Sequence, residues 1–146
     1  MASPLTTTLT PSQLGRLGDA AFAVAHNAYA PFSHFRVGAA LLLSQPASDT
    51  IVTGCNVENA SFRLTTCAEQ SAVAVAVAQH GPGIRILAVA VANLNGQPSQ
   101  PCGACRQTLL EFSLLETLIL YPGANGQPEQ RLLSDLLPNS FALDHA

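Results

Sequence analysis

Cys67-Ala-Glu69-Gln70-Ser-Ala-Val73-Ala-Val75-Ala-Val77-Ala-Gln-His80 is the stretch on which the fold turns. Val73, Val75 and Val77 alternate with alanine as they would in a strand, but an alanine-rich run of this length suits a helix buried all round. Thr66, with Glu69 three positions later, has the form of a capping box and favours a helix start there. The spacing therefore predicts a helix over 67–80.

Extended segments flank it. Upstream, Phe35, Val37, Ala39 and Leu41 alternate between His34 and Leu43, Gln45 to Asp49 reads as a loop, and Thr50 to Cys55 is extended again. These two segments predict a hairpin. Before them, Thr10-Pro11 opens a helix whose Leu14, Leu17, Ala21, Val24 and Ala28 recur at helical spacing until Pro31. Downstream, Ile84 to Ala92, apolar throughout except for Arg85, reads as a buried strand closed by Asn95-Gly96, and Cys102 to Phe112 reads as a helix. Thr117 to Tyr121 gives a strand, Asn125-Gly126 a turn, and Arg131 to Leu137 a short helix halted by Pro138. This order predicts one α/β layered domain over residues 1–146, with a mixed sheet that is antiparallel at the first hairpin.

Hydrophobic residues make up 48% of the chain and charged residues only 10%, against roughly 25% charged in an average soluble domain. So little charge leaves surface suited to subunit contacts, where charged residues are depleted, and a homo-oligomer is expected. All six basic residues are scattered arginines and the net charge is -3, so nucleic acid is not an expected partner. Apolar runs such as Ile86 to Ala92 fall far short of the roughly 18 residues that cross a bilayer, and no membrane span is expected. Residues 1–10 show no secretory pattern, so the expected setting is cytoplasmic and reducing, where clustered cysteines read as metal ligands before disulfides.

Such a cluster is present. Cys67 and Glu69 are followed by Pro101-Cys102-Gly103-Ala104-Cys105-Arg106-Gln107. Three thiols can hold Zn²⁺ and leave a fourth position for water, as catalytic zinc sites do. Glu69 is then the carboxylate that moves protons. Cys67 would begin one helix while Cys102 and Cys105 lie in the first turn of another. Helix N-termini lower thiol pKa and hold thiolates ready for metal. Three thiolates leave the site with net charge -1, and Arg106 is the candidate to offset it by donating to a sulfur. Cys55 lies outside the pattern and reads as structural.

The Cys67-Ala-Glu69 and Pro101-Cys102-Gly-Ala-Cys105-Arg106-Gln107 pair closely resembles the zinc motif of the cytidine deaminases. Tyr29-Ala-Pro-Phe-Ser33, Phe35-Arg-Val-Gly-Ala-Ala-Leu41 and Gly54-Cys-Asn-Val-Glu-Asn-Ala60 look like segments of the short, homotetrameric, three-cysteine form of that family. The resemblance implies a three-layer fold, one zinc per subunit, and hydrolytic deamination of cytidine and 2'-deoxycytidine in pyrimidine salvage. It implies that Cys67, Cys102 and Cys105 hold zinc, that Glu69 is the acid and base, and that Ala68 lines the substrate site. It further implies that Phe35 packs on the pyrimidine, that Asn56 and Glu58 bond the ribose 3'-hydroxyl, and that Phe141 reaches the active site of a neighbouring subunit.

The chain departs from that pattern at two positions. Gln70 stands where three-cysteine relatives usually carry an arginine on a ligand sulfur, so a higher pKa is expected for the water that zinc activates. Gln100 stands where serine is frequent, and its backbone carbonyl remains able to accept from the cytosine amino group. Two rival functions follow from the same residues. A deaminase of another aminopyrimidine nucleoside analogue would share the zinc chemistry without the sugar contacts of Asn56 and Glu58. A non-catalytic zinc-stapled binding module would recruit Cys55 as a fourth ligand and leave Glu69 unexplained.

Overall fold

The computed structural model describes residues 8–144. Five strands form one sheet, with the second strand of the chain at one edge, followed by the first, third, fourth and fifth. The first helix, α1 (Pro11–Ala25), is capped reciprocally: Gln13 N–H donates to Thr10 Oγ1 at 3.1 Å, and Thr10 N–H donates to Gln13 Oε1 at 2.8 Å. It ends at Ala25, earlier than the expected stop at Pro31. The chain must leave the helix there because Tyr29 is bonded alongside residues 56–58. Its N–H donates to Asn56 O at 3.0 Å, and its carbonyl accepts from Glu58 N–H at 2.8 Å.

The hairpin is β1 (Val37–Gln45) and β2 (Thr50–Cys55), paired antiparallel from Gly38↔Cys55 to Leu43↔Thr50. Alternation then sorts β1 between two cores. Ala40 and Leu42 join Leu17 and Ala21 of α1, whereas Ala39, Leu41 and Leu43 face the opposite core with Ala72, Val73 and Ala76. Helix α2 (Ala68–His80) follows β2, and β3 (Arg85–Asn93) returns antiparallel to β1. Helix α3 (Gly103–Leu110) then leads to β4 (Ser113–Pro122), which lies parallel to β3. The result is three layers, with α1 on one side of the sheet and α2, α3 and α4 (Leu133–Leu136) on the other.

Two further elements, near the C-terminal end, differ from the sequence expectation. Strand β5 (Pro128–Leu132) pairs antiparallel with β4 and occupies Arg131 and Leu132, which the spacing assigns to a helix. An edge strand needs no apolar face, and this one carries proline and charged or polar residues that blunt the edge. With Arg131 opposite Ile119 and Leu132 opposite Leu118, α4 begins only at Leu133.

Topology brings the helix starts together. Strands β2 and β3 both run antiparallel to β1, so their C-terminal ends point the same way. Helices α2 and α3 follow those ends on one face of the sheet, which is where α/β folds build sites. The seating of α2 depends on Gly54, where an added Cβ would overlap the backbone of Ser71 and Ala72. Gly54→Ala is therefore expected to cost about 1–3 kcal/mol through overpacking, visible as a Tm lower by several °C. An unchanged Tm would contradict that close approach.

Candidate active site

Cys67 and Cys102 are the N-cap residues of α2 and α3, both in extended conformation, and Cys105 lies one turn into α3 with its side chain buried. Their sulfurs lie within 4.8 Å of one another, and they are the one such group of potential metal ligands among the described residues. Cys55, at the end of β2 opposite Gly38, is not part of it. A tetrahedral zinc with bonds of about 2.3 Å sets sulfurs about 3.8 Å apart, so the three thiols need little movement to close on the ion.

The helix start differs by one residue from the Thr66–Glu69 box. Thr66 and Val57 exchange both backbone hydrogen bonds at 2.9 Å, which holds Thr66 extended and delays the helix. Cys67 becomes the cap, and its N–H donates to Gln70 Oε1 at 3.1 Å. Gln70 thus braces the backbone of a cluster cysteine without bringing a positive charge. Glu69 is released from capping and faces the cavity only 4% exposed.

Burial pushes the Glu69 carboxyl above its usual range, opposed by its own backbone N–H and by a hydrogen bond with Cys105. A hydrogen bond from Cys105 draws the Cys67 thiol down to about 7, against burial and the charge of Glu69. Cys105, the donor in that pair and itself desolvated, is pushed up. Of these two thiols, Cys67, at the positive end of α2, is the more readily ionised.

Arg106 stands elsewhere than the sequence reading places it. Its Nε donates to Pro101 O at 2.8 Å, one Nη to Leu136 O at 2.7 Å, and the other Nη to Gln100 Oε1 at 2.7 Å. These bonds clamp the loop that carries Cys102 onto the end of α4, and none goes to a thiolate. The rigid fork of the guanidinium suits it to three separate acceptors. Gln100 lines the cavity with its side chain drawn toward Arg106.

The cavity has a volume of about 340 Å³ and brings the three sulfurs, Ala68 and Glu69 together with Phe35, Asn56 and Glu58. Asn56 is buried, and its amide is half spent on the backbone, with Nδ2 donating to Phe35 O at 2.8 Å and Oδ1 accepting from Val37 N–H at 2.9 Å. One N–H and one lone pair remain for a ligand. Ser33 and Thr65 also line the cavity, and the sequence reading assigned neither a role. Phe141 is 68% exposed, and its carbonyl accepts from Gln107 Nε2 at 3.0 Å, so α3 fastens the tail outside its own cavity. A larger hollow of about 540 Å³ beside α1 is lined by neither cysteine nor histidine, whereas the smaller one carries the three thiols and Glu69.

Comparison with known proteins matches residues 11–121 to the family model described as the cytidine and deoxycytidylate deaminase zinc-binding region. A cytidine deaminase from Mycobacterium tuberculosis is 47% identical over 127 residues, covering 87% of each chain. One from Halalkalibacterium halodurans is 38% identical over 118 residues, covering 80% of this chain and 85% of that one. Among solved structures, a cytidine deaminase from Burkholderia pseudomallei superposes with a TM-score of 0.77 at 38% identity, covering 91% of this chain and 100% of the other. The M. tuberculosis crystal structure gives 0.75 at 42% identity, covering 89% and 98%.

Proposed function

The chain belongs to the cytidine and deoxycytidylate deaminase family, and we propose that the cavity at the starts of α2 and α3 is where it converts cytidine and 2'-deoxycytidine to the uridine products and ammonia. It is a zinc-dependent hydrolytic deaminase. The observation that carries the assignment of the site is one cavity holding three clustered thiols and a nearly buried carboxylate. Cys67, Cys102 and Cys105 would hold the ion. A zinc ion there supplies the Lewis acidity that makes water a nucleophile near neutral pH.

Glu69 moves the protons. It accepts one from the attacking water and delivers it to N3 of the pyrimidine as the C4–O bond forms. It then takes the remaining proton of that oxygen and passes it to the 4-amino group, which leaves as ammonia. Water contributes two protons, one kept on N3 and one carried off by nitrogen, so the balance closes on a single carboxylate. Its raised pKa suits it to both receiving and returning a proton. Phe35 offers the pyrimidine a ring face, the backbone carbonyl of Gln100 accepts from the amino group, and Asn56 and Glu58 take the ribose 3'-hydroxyl.

A homotetramer with shared active sites fits the exposed aromatic and aliphatic side chains. Phe62, Leu64, Phe141 and Leu143 are 73%, 64%, 68% and 72% exposed, and Phe141 is not among the residues lining its own cavity. The four free cysteines suit a reducing cytoplasm, and no helix among the described residues is long and apolar enough to cross a membrane. One domain spanning the chain serves the whole reading.

The test is to incubate the purified protein with cytidine, 2'-deoxycytidine and free cytosine and follow loss of the cytosine chromophore. Turnover of both nucleosides, with free cytosine at least about tenfold poorer in kcat/KM, is expected from loss of one charge-assisted sugar bond. Equal turnover of free cytosine would contradict the sugar contacts.

A further inference from the structure

Glu58 is held by more than a sugar contact needs. Its Oε1 accepts from Phe32 N–H at 2.9 Å and Ser33 N–H at 3.1 Å, and its Oε2 accepts a short bond from the Ser33 hydroxyl. An ionised carboxylate offers about four acceptor positions, so these bonds leave one, on the oxygen shared with Ser33. The same Ser33 oxygen accepts from Phe35 N–H at 3.0 Å. One hydroxyl therefore spends its single hydrogen on the group aimed at the sugar and its lone pair on the residue facing the base.

We propose that Ser33 is the positioning residue of the nucleoside subsite, fixing the free lone pair of Glu58 for the ribose 3'-hydroxyl while seating Phe35 against the pyrimidine. This rests on the reading above that Glu58 receives that hydroxyl. Two features separate it from an ordinary turn contact. Ser33 is exposed and lines the cavity, so its hydroxyl faces the space a ligand would fill. Its backbone N–H and that of Phe32 both reach Oε1, so the turn stays tethered to Glu58 when the hydroxyl is removed. What that removal frees is the direction of Oε2. The Ser33 hydroxyl is also the foremost influence holding the Glu58 carboxyl below its usual range, with burial opposing and the Ser33 and Phe32 N–H groups and His34 adding. Glu58 therefore stays a charged acceptor, which strengthens a bond from a neutral hydroxyl.

The test compares Ser33→Ala, Ser33→Thr and Glu58→Gln in steady-state kinetics on cytidine and on 3'-deoxycytidine, with zinc content and Tm recorded for each. Ser33→Ala is expected to raise KM for cytidine roughly tenfold, the scale of one hydrogen bond to a charged group, with kcat within about twofold. KM for 3'-deoxycytidine should rise less than about threefold, and Ser33→Thr, which keeps the hydroxyl, should restore cytidine binding. If Ser33→Ala fails to fold, Ser33→Cys, of similar size and a weak donor, gives the same comparison. An unchanged KM for cytidine would overturn the role of Ser33 altogether, and equal losses on both substrates would overturn its positioning of Glu58 for the 3'-hydroxyl. A Glu58→Gln variant that does not distinguish the two nucleosides would instead overturn the sugar contact itself, and the proposal with it.

Discussion

Replacing Glu69 with glutamine is expected to lower kcat by about three to four powers of ten while zinc stays bound and Tm is unchanged. The size follows from the double duty of one carboxylate. A positioned acid or base contributes roughly 10²- to 10⁴-fold, and in the proposed reaction both proton transfers pass through the same group. Glutamine keeps the volume and the hydrogen-bonding shape, so the cavity does not collapse, but an amide neither takes nor returns a proton at these pH values. Folding should not suffer, because Glu69 is 4% exposed and burial already penalises its ionised form. The measurement is kcat on cytidine beside zinc stoichiometry and thermal unfolding. Activity within tenfold of the unaltered protein would remove Glu69 from the mechanism.

The sequence revealed the parts of this site that are set by local pattern. The two helices that begin beside Cys67 and Cys102 are legible from neighbouring residues alone, although the first is capped by Cys67 and not by the Thr66–Glu69 box, and the hairpin follows from alternation along β1. Glu69, Cys67, Cys102 and Cys105 could be named because a metal that works on water restricts which side chains can occupy the site. What stayed hidden depends on residues far apart in the chain. Arg106 reaches Leu136, 30 positions away, and Ser33 meets Glu58, 25 positions away. Neither separation carries a periodic signal. Gln70 was visible as a departure from relatives, but its bond to Cys67 N–H depends on Thr66 being held extended by Val57. Strand β5 was missed because an edge strand gains its place from the backbone of β4 rather than from an apolar face.

Replacing Cys102 with alanine should remove both zinc and deaminase activity, whereas Cys55→Ala should keep both. Cys102 is the cleaner of the two proposed α3 ligands to test. Its side chain is exposed at the cap of α3, so truncation leaves little unfilled space, while Cys105 is buried against the core and its loss would mix packing with metal binding. Without Cys102 the cluster keeps two sulfurs, and a two-thiolate site holds zinc far more weakly than one with three. Zinc content should fall from one per chain to near zero, and turnover should fall below detection. Cys55, opposite Gly38 at the far end of the hairpin ladder and outside the cluster, should alter neither. A zinc staple built from four cysteines requires the opposite result for Cys55, since losing any one of four structural ligands should release the metal. Zinc lost in Cys55→Ala would therefore contradict an open three-thiol centre and favour a closed site that has no room for water, whereas zinc kept in Cys102→Ala would contradict both arrangements.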